Sequence, residues 1–211
     1  MKRSGFDTMS KWAYLWYIII HPFDGFQEMR LNKKSSVLNV FFILVAFFFS
    51  QAYYKLSTDF DFNKFDVSEV NFVMLFFTTI VLFFVVATAN WCFCTLLDGK
   101  GTFKDICTVF AYALIPYIIT TFFVTSLTNV ISLNEGSFLQ YALTVSFLWS
   151  LLIAFAGLQA VHEYSAKKVV GSIILTVLGV LIILFISFLF IMLIQQLLIF
   201  INTVWIELTR R

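Results

Sequence analysis

The chain has 211 residues, of which 61% are hydrophobic and only 12% are charged, and its mean hydropathy is +0.92. Soluble domains carry about 25% charged residues, so this composition excludes a water-soluble globular fold. The formal net charge of +2, with no basic patch interleaved with exposed aromatic residues, argues against a nucleic-acid partner.

The N-terminal segment predicts a helix on the membrane surface over residues 9–31. Tryptophan and tyrosine prefer the lipid headgroup level, and Pro22 is expected to end the first helix and start a second one over Phe23–Leu31. Alternatively, residues 12–20 pack against the bundle. The predicted apolar face recurs at helical spacing and consists of Trp12, Trp16, Ile19, Ile20 and Phe23.

Five stretches carry no charged side chain: 35–54, 70–97, 106–134, 136–161 and 169–206. A hydrocarbon core about 30 Å thick needs roughly 20 apolar helical residues to cross it, so each stretch is long enough. We expect an all-α membrane protein with five transmembrane helices and an N-terminal amphipathic interfacial helix. The predicted organisation is a cytoplasmic segment over 1–35, a five-span domain over 36–206 and a short polar tail over 207–211.

The last charge-free stretch is too long for one span. As a helix, residues 169–206 would measure about 57 Å, nearly twice the core thickness. The expected arrangement is one span to about Met192, followed by an interfacial or protruding helix. A re-entrant hairpin is the alternative, and Gln195 and Gln196 form a polar pair within the stretch.

Topology follows from the positive residues in the short flanks. With five spans, ten of the 14 Lys and Arg residues fall on the side that holds 1–34, 98–105 and 162–168. The N-terminus is therefore expected in the cytoplasm and the C-terminus outside. Arg210 and Arg211 run against this rule, and a fold-back of the tail would bring them inside.

The spans hold no Asp, Glu, Lys or Arg, which argues against proton-coupled or charged-substrate transport. No enzyme motif occurs, and no metal or cofactor is expected. The alternative to a non-enzymatic role in a protein complex is a transporter subunit that handles a neutral solute or a lipid. Its candidate polar path would consist of Thr78, Thr79, Asn90, Gln140 and Gln159.

Small residues form stripes at helical spacing on the last two spans, and such stripes let helix backbones approach closely in lipid. Pro116 is expected to kink the third span. The predicted helix-packing residues are Ser146, Ser150, Ala154 and Gly157 on the fourth span, and Ser172, Thr176 and Gly179 on the fifth.

Three segments carry a family resemblance. They are HPFDGFQEMR (21–30), LLDGKGTFKDICTVFAYALIPYIITTFF (96–123) and WSLLIAFAGLQAVHEYSAKKVVGSIILTVLGVLIILF (149–185). Their order resembles the bacterial branch of the Yip domain family (Ypt-interacting proteins), whose members have five spans and a cytoplasmic N-terminus. The likeness covers about residues 20–195.

The resemblance implies a non-enzymatic membrane adaptor in a bacterial plasma membrane, with other membrane proteins as partners in a hetero- or homo-oligomer. Eukaryotic relatives bind Rab-type GTPases and other Yip proteins, and they do so with longer cytosolic N-terminal regions. Only about 34 residues precede the first span here, so GTPase binding is not expected. The candidate partner contacts lie on the predicted cytoplasmic face: Trp12, Trp16, Phe23, Phe26, Asp98, Lys100, Lys104, Asp105, His162, Glu163 and Lys167.

Overall fold

The computed structural model describes residues 11–32, 36–59, 62, 70–132 and 135–210, and their regular structure is entirely helical. In chain order the helices are α1 (Lys11–Ile20), α2 (Pro22–Leu31), α3 (Val37–Ser57), α4 (Phe72–Phe76), α5 (Leu82–Leu96), α6 (Phe103–Thr128), α7 (Gly136–His162) and α8 (Ala166–Thr209). A π-helical turn over Phe77–Val81 joins α4 to α5 without a break.

Five of the described helical segments are long and apolar enough to cross a membrane, which confirms the predicted number of spans. The ends of the first four lie within a few residues of the predicted ones, and the fifth helix continues well past Met192, where its span was predicted to end. The segments are Val37–Ser57, Phe72–Leu96, Phe103–Thr128, Gly136–His162 and Ala166–Thr209.

Helix α6 is the centre of the bundle. It packs against α3 and α7 along its length and also contacts α1 and α5. Small side chains such as Ala111 and Ala113 are buried on α6, so neighbouring backbones approach it closely. Pro116 lies inside α6, and the helix continues on both sides of it. The kink predicted at Pro116 stays a prediction.

The π-helical turn was not predicted from the sequence. Thr78 Oγ1 donates to the carbonyl oxygens of Met74 and Leu75, and Thr79 Oγ1 donates to that of Leu75. These hydroxyls add bonds to the backbone carbonyls that precede the turn. Apolar periodicity does not distinguish such a local widening from a regular helix, because both present a similar apolar surface.

The N-terminal segment forms a hairpin of two helices that is docked on the bundle. Helix α2 starts at Pro22, as predicted, and packs on α7. Tyr14 Oη donates to the carbonyl oxygen of Gly25 at 2.7 Å, and Ile18 and Phe26 are fully buried. One side of the hairpin therefore packs against the bundle. The amphipathic surface helix stays a prediction.

Helix α8 runs without interruption from Ala166 to Thr209, through Gln195 and Gln196. The alternative of a re-entrant hairpin is therefore wrong, because the glutamine pair sits in regular helix. The helix also continues past residue 206, where the polar tail was predicted to follow the five-span domain.

Candidate functional site

Two short turns and helix α2 meet at one end of the bundle. Glu163 ends α7 with a left-handed backbone, at a φ of 56°. Its carboxylate forms ion pairs with Arg30 of α2 and with Lys100 of the turn between α5 and α6. Arg30 Nη1 also donates to the carbonyl oxygen of Ala160 at 3.3 Å. One carboxylate therefore joins three separate segments of the chain.

These charges stabilise one another. Hydrogen bonds from Lys100 and then from Arg30 hold the pKa of the Glu163 carboxyl below its usual value. The Glu163 side chain is about half exposed, at 48%, and that of Lys100 is 64% exposed. The ion pairs are thus open to water and screened by it, and they position the turns more than they stabilise the fold.

His162, the last residue of α7, lies beneath this ion pair and is only 2% exposed. Its Nδ1 accepts a hydrogen bond from the N–H of Gly101 at 3.4 Å. Its ring stacks on Tyr164, with the ring centres 5.1 Å apart and the planes at 22°. Nε2 is buried and has no hydrogen-bond partner in the part of the chain that the structure describes.

Tyr164 is hydrogen-bonded to the end of α5. Its hydroxyl donates to the carbonyl oxygens of Cys94 at 3.0 Å and Leu97 at 3.2 Å. The Cys94 carbonyl also accepts from the N–H groups of Leu97 and Gly99, so the hydroxyl adds a side-chain bond to the closing turn of α5. Burial raises the pKa of Tyr164 to about 12. The ammonium of Lys168 lies over its ring, 4.5 Å from the centre.

The turn between α5 and α6 approaches His162 so closely that only glycine fits at two positions. A Cβ on Gly99 would lie 2.5 Å from His162 Nδ1 and 2.7 Å from the Tyr164 hydroxyl. A Cβ on Gly101 would lie 2.9 Å from His162 Cε1. We call Arg30, Lys100, His162, Glu163 and Tyr164, with these two glycines, the Glu163 cluster.

Helix α6 begins directly after this turn with a capping box. The N–H of Asp105 donates to Thr102 Oγ1 at 3.3 Å, and the N–H of Thr102 donates to Asp105 Oδ2 at 3.1 Å. Two of the unsatisfied donors at the helix start are thereby bonded. Asp105 is therefore engaged in the cap of α6, which reduces its availability to a partner.

Several predicted contact residues are exposed. Trp16 is 57% exposed and Phe23 is 54% exposed, so the hairpin presents two large apolar side chains. The predicted charged contact residues that are exposed are Asp98, Lys100, Lys104, Glu163 and Lys167. The side chain of Trp12 lies outside the described residues.

Two predicted contact residues are buried, which corrects the sequence interpretation. Phe26 is 0% exposed and packs near Tyr112, with the ring centres 6.4 Å apart. His162 is enclosed by the glycine turn and Tyr164, as described above. Neither side chain reaches a surface, because each fills the space between packed helices.

The residues of the two small-residue stripes are mostly buried. Ser146, Ser150 and Gly157 are buried on α7, and Ala154 is partly exposed. On α8, Ser172, Thr176 and Gly179 are buried. A Cβ on Gly157 would be too close to Val109, and one on Gly179 too close to Phe93. Their role in helix packing stays a prediction, and these distances favour it.

The polar residues considered for a solute path do not gather in one place. Asn90 Nδ2 donates to Thr176 Oγ1 at 2.9 Å in the buried contact of α5 with α8. The Thr79 hydroxyl is bonded to its own helix, and Gln140 is exposed near the start of α7. Thr78 and Thr79 do border a mainly apolar cavity of about 460 Å³.

Arg30, Tyr164, Gly99 and Gly101 were not singled out from the sequence. One signal was present: a Gly-Lys-Gly turn over 99–101 between two apolar stretches. Glycines in such a turn indicate a close backbone approach. What approaches them, His162 and Tyr164, is distant in sequence and becomes evident only in the folded chain.

The described architecture is that of a multi-span helical membrane protein. Residues 16–189 match the Yip1 domain, which covers most of the chain. The chain therefore belongs to the Yip1 domain family, in agreement with the resemblance noted in its sequence. No curated protein and no solved structure matches the chain.

Proposed function

We propose that this chain is a non-enzymatic membrane adaptor that binds other membrane proteins through the surface around the Glu163 cluster. The proposal rests on the contrast between buried and exposed side chains at this end of the bundle. Phe26 of the hairpin and His162 at the turns are buried, while Trp16, Phe23 and Lys104 are exposed. A rigid support for exposed aromatic and basic side chains suits protein recognition.

The excess of positive residues at this end supports a cytoplasmic location for the surface. Under this proposal the N-terminus lies in the cytoplasm and α8 leads the C-terminus away from it. The membrane is proposed to be a bacterial plasma membrane, on the basis of the sequence resemblance. Binding of small GTPases is not part of the proposal.

Site-specific photo-crosslinking in native membranes tests the adaptor function. A benzophenone amino acid at Phe23 or Lys104 should form adducts with one recurrent partner protein. Tyr141, 68% exposed near the start of α7 at the opposite end of the bundle, is the matched control and should not give that adduct. The proposal is wrong if Phe23 and Lys104 label only lipid, or if the charge reversal Lys104→Glu leaves the adduct with the Phe23 probe unchanged.

A further inference from the structure

A long apolar groove lies between the first, second and third spans, and its volume is about 670 Å³. The buried side chains of Val40, Leu44 and Cys107 line it, and so does the side chain of Phe41, which is exposed. The groove is therefore open on one side to the surroundings of the bundle. Among the described residues that line it, Lys104 is the only one that carries a charge. We call it the Lys104 groove.

The two ends of the Lys104 groove differ. At one end the walls meet, because the ring of Phe48 on α3 lies 6.4 Å from that of Phe76 on α4. At the other end α6 begins with Phe103 and Lys104, and Lys104 is exposed. Trp91 packs edge-on against Phe103, with the ring centres 5.9 Å apart, and tryptophan prefers the lipid headgroup level. The charged end therefore lies at the membrane surface, and the apolar end lies within the hydrocarbon.

The Lys104 groove is about as deep as one leaflet of the membrane. Residues of α3 line it from Val37 to Phe49, a separation of twelve residues, which corresponds to about 18 Å of helix. Half of the hydrocarbon core measures about 15 Å. A groove of this depth, with its charged end at the surface, follows the course of a lipid acyl chain below its headgroup.

An acyl chain fits the Lys104 groove better than a protein segment does. The volume of about 670 Å³ lies within the range of about 300–1,000 Å³ that is typical of small-molecule sites. A helix about 10 Å across and 18 Å long would occupy roughly 1,400 Å³, about twice this volume. An extended segment would bring its backbone N–H and C=O groups against an apolar lining, which leaves them without partners and is costly in lipid.

We propose that the Lys104 groove binds one acyl chain of an anionic phospholipid, whose phosphate pairs with the ammonium of Lys104. A lysine lays its apolar stem along such a surface and keeps its charge at the headgroup level. The first turn of α6 adds a partial positive charge there. The neighbouring Asp105 is engaged in the helix cap, since its carboxylate accepts from the N–H and the hydroxyl of Thr102 at 3.1 and 2.6 Å. Zwitterionic headgroups carry a cation of their own, so an anionic headgroup gains more from Lys104.

This lipid site goes beyond the adaptor function proposed above, although both use Lys104. Lipid binding is measured on the purified chain, so its result does not depend on whether a partner protein exists. Val45 also lines the groove and is not part of the proposed adaptor surface. The failure of one proposal can therefore be distinguished from the failure of the other.

The test is native mass spectrometry of the full-length chain in detergent with equimolar phosphatidylglycerol and phosphatidylcholine. The unmodified chain should retain one phosphatidylglycerol, with a preference of about fivefold over phosphatidylcholine. Lys104→Gln should bring this preference to within about twofold of parity, because the charge at the groove is lost. The matched control is Lys167→Gln, which removes an exposed lysine of α8 outside the groove and should leave the preference unchanged. Equal preference for the two lipids in the unmodified chain, or equal losses in the two variants, overturns the proposal.

Filling the groove provides a second measurement that does not depend on charge. Val45→Trp should lower the retention of both lipids by at least about fivefold, and Ile80→Trp, on the facing wall, should do the same. The matched control is Val145→Trp on α7, where the valine is exposed outside the groove, and it should retain lipid as the unmodified chain does. Thermal unfolding without lipid shows that each variant is folded. Undiminished retention in the folded Val45→Trp and Ile80→Trp variants overturns the placement of the acyl chain in the groove.

Discussion

Glu163, at the left-handed end of α7, pairs with Arg30 of the N-terminal hairpin. The same carboxylate holds Lys100 of the turn between α5 and α6. A residue with a positive φ pays a conformational penalty unless it is glycine, and such a position persists where its surroundings determine it strongly. At Glu163, the left-handed conformation is held by two cations and by the packing of His162 and Tyr164.

Two replacements of Glu163 should distinguish the effect of its charge on stability from the effect of its backbone conformation. In Glu163→Gln both ion pairs are lost, and we expect proteolysis within the α1–α2 hairpin to become about two- to fivefold faster. In Glu163→Gly the charge is lost as well, but the left-handed backbone becomes favourable. Glu163→Gly should therefore retain a higher thermal stability in detergent than Glu163→Gln. Identical stability of the two variants would show that the backbone conformation carries no cost.

The lowered pKa of the Glu163 carboxyl predicts a dependence on acid. Because the ionised form is favoured in the folded chain, its contribution is fully present above the ordinary pKa of 4.5 and disappears as the pH falls through the lowered folded value. Thermal unfolding followed from pH 7 to pH 3 should show a difference between the wild type and Glu163→Gln that is constant above about pH 5 and shrinks below it. A difference that grows in acid would contradict the assignment.

Gly99 should not tolerate a side chain. An alanine Cβ would press on His162 Nδ1 and on the Tyr164 hydroxyl, so Gly99→Ala should destabilise the chain by about 1–3 kcal/mol. Gly171 is the matched control, since nothing lies within 4 Å of a Cβ there. Gly171→Ala should leave stability unchanged or raise it by up to about 1 kcal/mol, because alanine favours helix. Thermal unfolding of the two variants in the same detergent makes the comparison.

Alanine replacements of the two phenylalanines of α2 should differ sharply in their effect on stability. Phe26 is fully buried against the bundle, so Phe26→Ala should cost about 3–5 kcal/mol and release the hairpin to proteolysis. Phe23 is 54% exposed, and Phe23→Ala should leave stability nearly unchanged while weakening the adaptor contact. If both variants unfold at the same temperature as the wild type, the hairpin is not docked as described.

The predicted surface helix shows where sequence patterns stop being informative. Helical periodicity grouped Trp16, Ile20 and Phe23 into one apolar face, and all three are exposed. The residues that anchor the hairpin, Ile18, Phe26 and Met29, lie on the other side. Both sides are apolar, so the pattern does not indicate which one faces protein and which one faces lipid.

The candidate site could likewise be predicted only in part from the sequence. The positive residues and the Gly-Lys-Gly turn could be seen in the sequence, and they pointed to this end of the bundle. Placing Arg30 and Lys100 on one carboxylate required the folded chain, because Arg30 reaches the site through the docking of α2 on α7. The burial of Phe26 and His162 likewise depends on neighbours that are distant in sequence.

The sequence alone determined the class of the protein, the number of spans and their approximate ends. These follow from the length of the charge-free stretches, since a charged group inside hydrocarbon is costly wherever the rest of the chain lies. Only the tertiary structure decided which apolar faces are buried, which charges meet at Glu163, and that α8 continues straight through Gln195 and Gln196. In a chain this apolar, lipid and protein neighbours are nearly equivalent in hydrophobicity, so packing geometry alone distinguishes them.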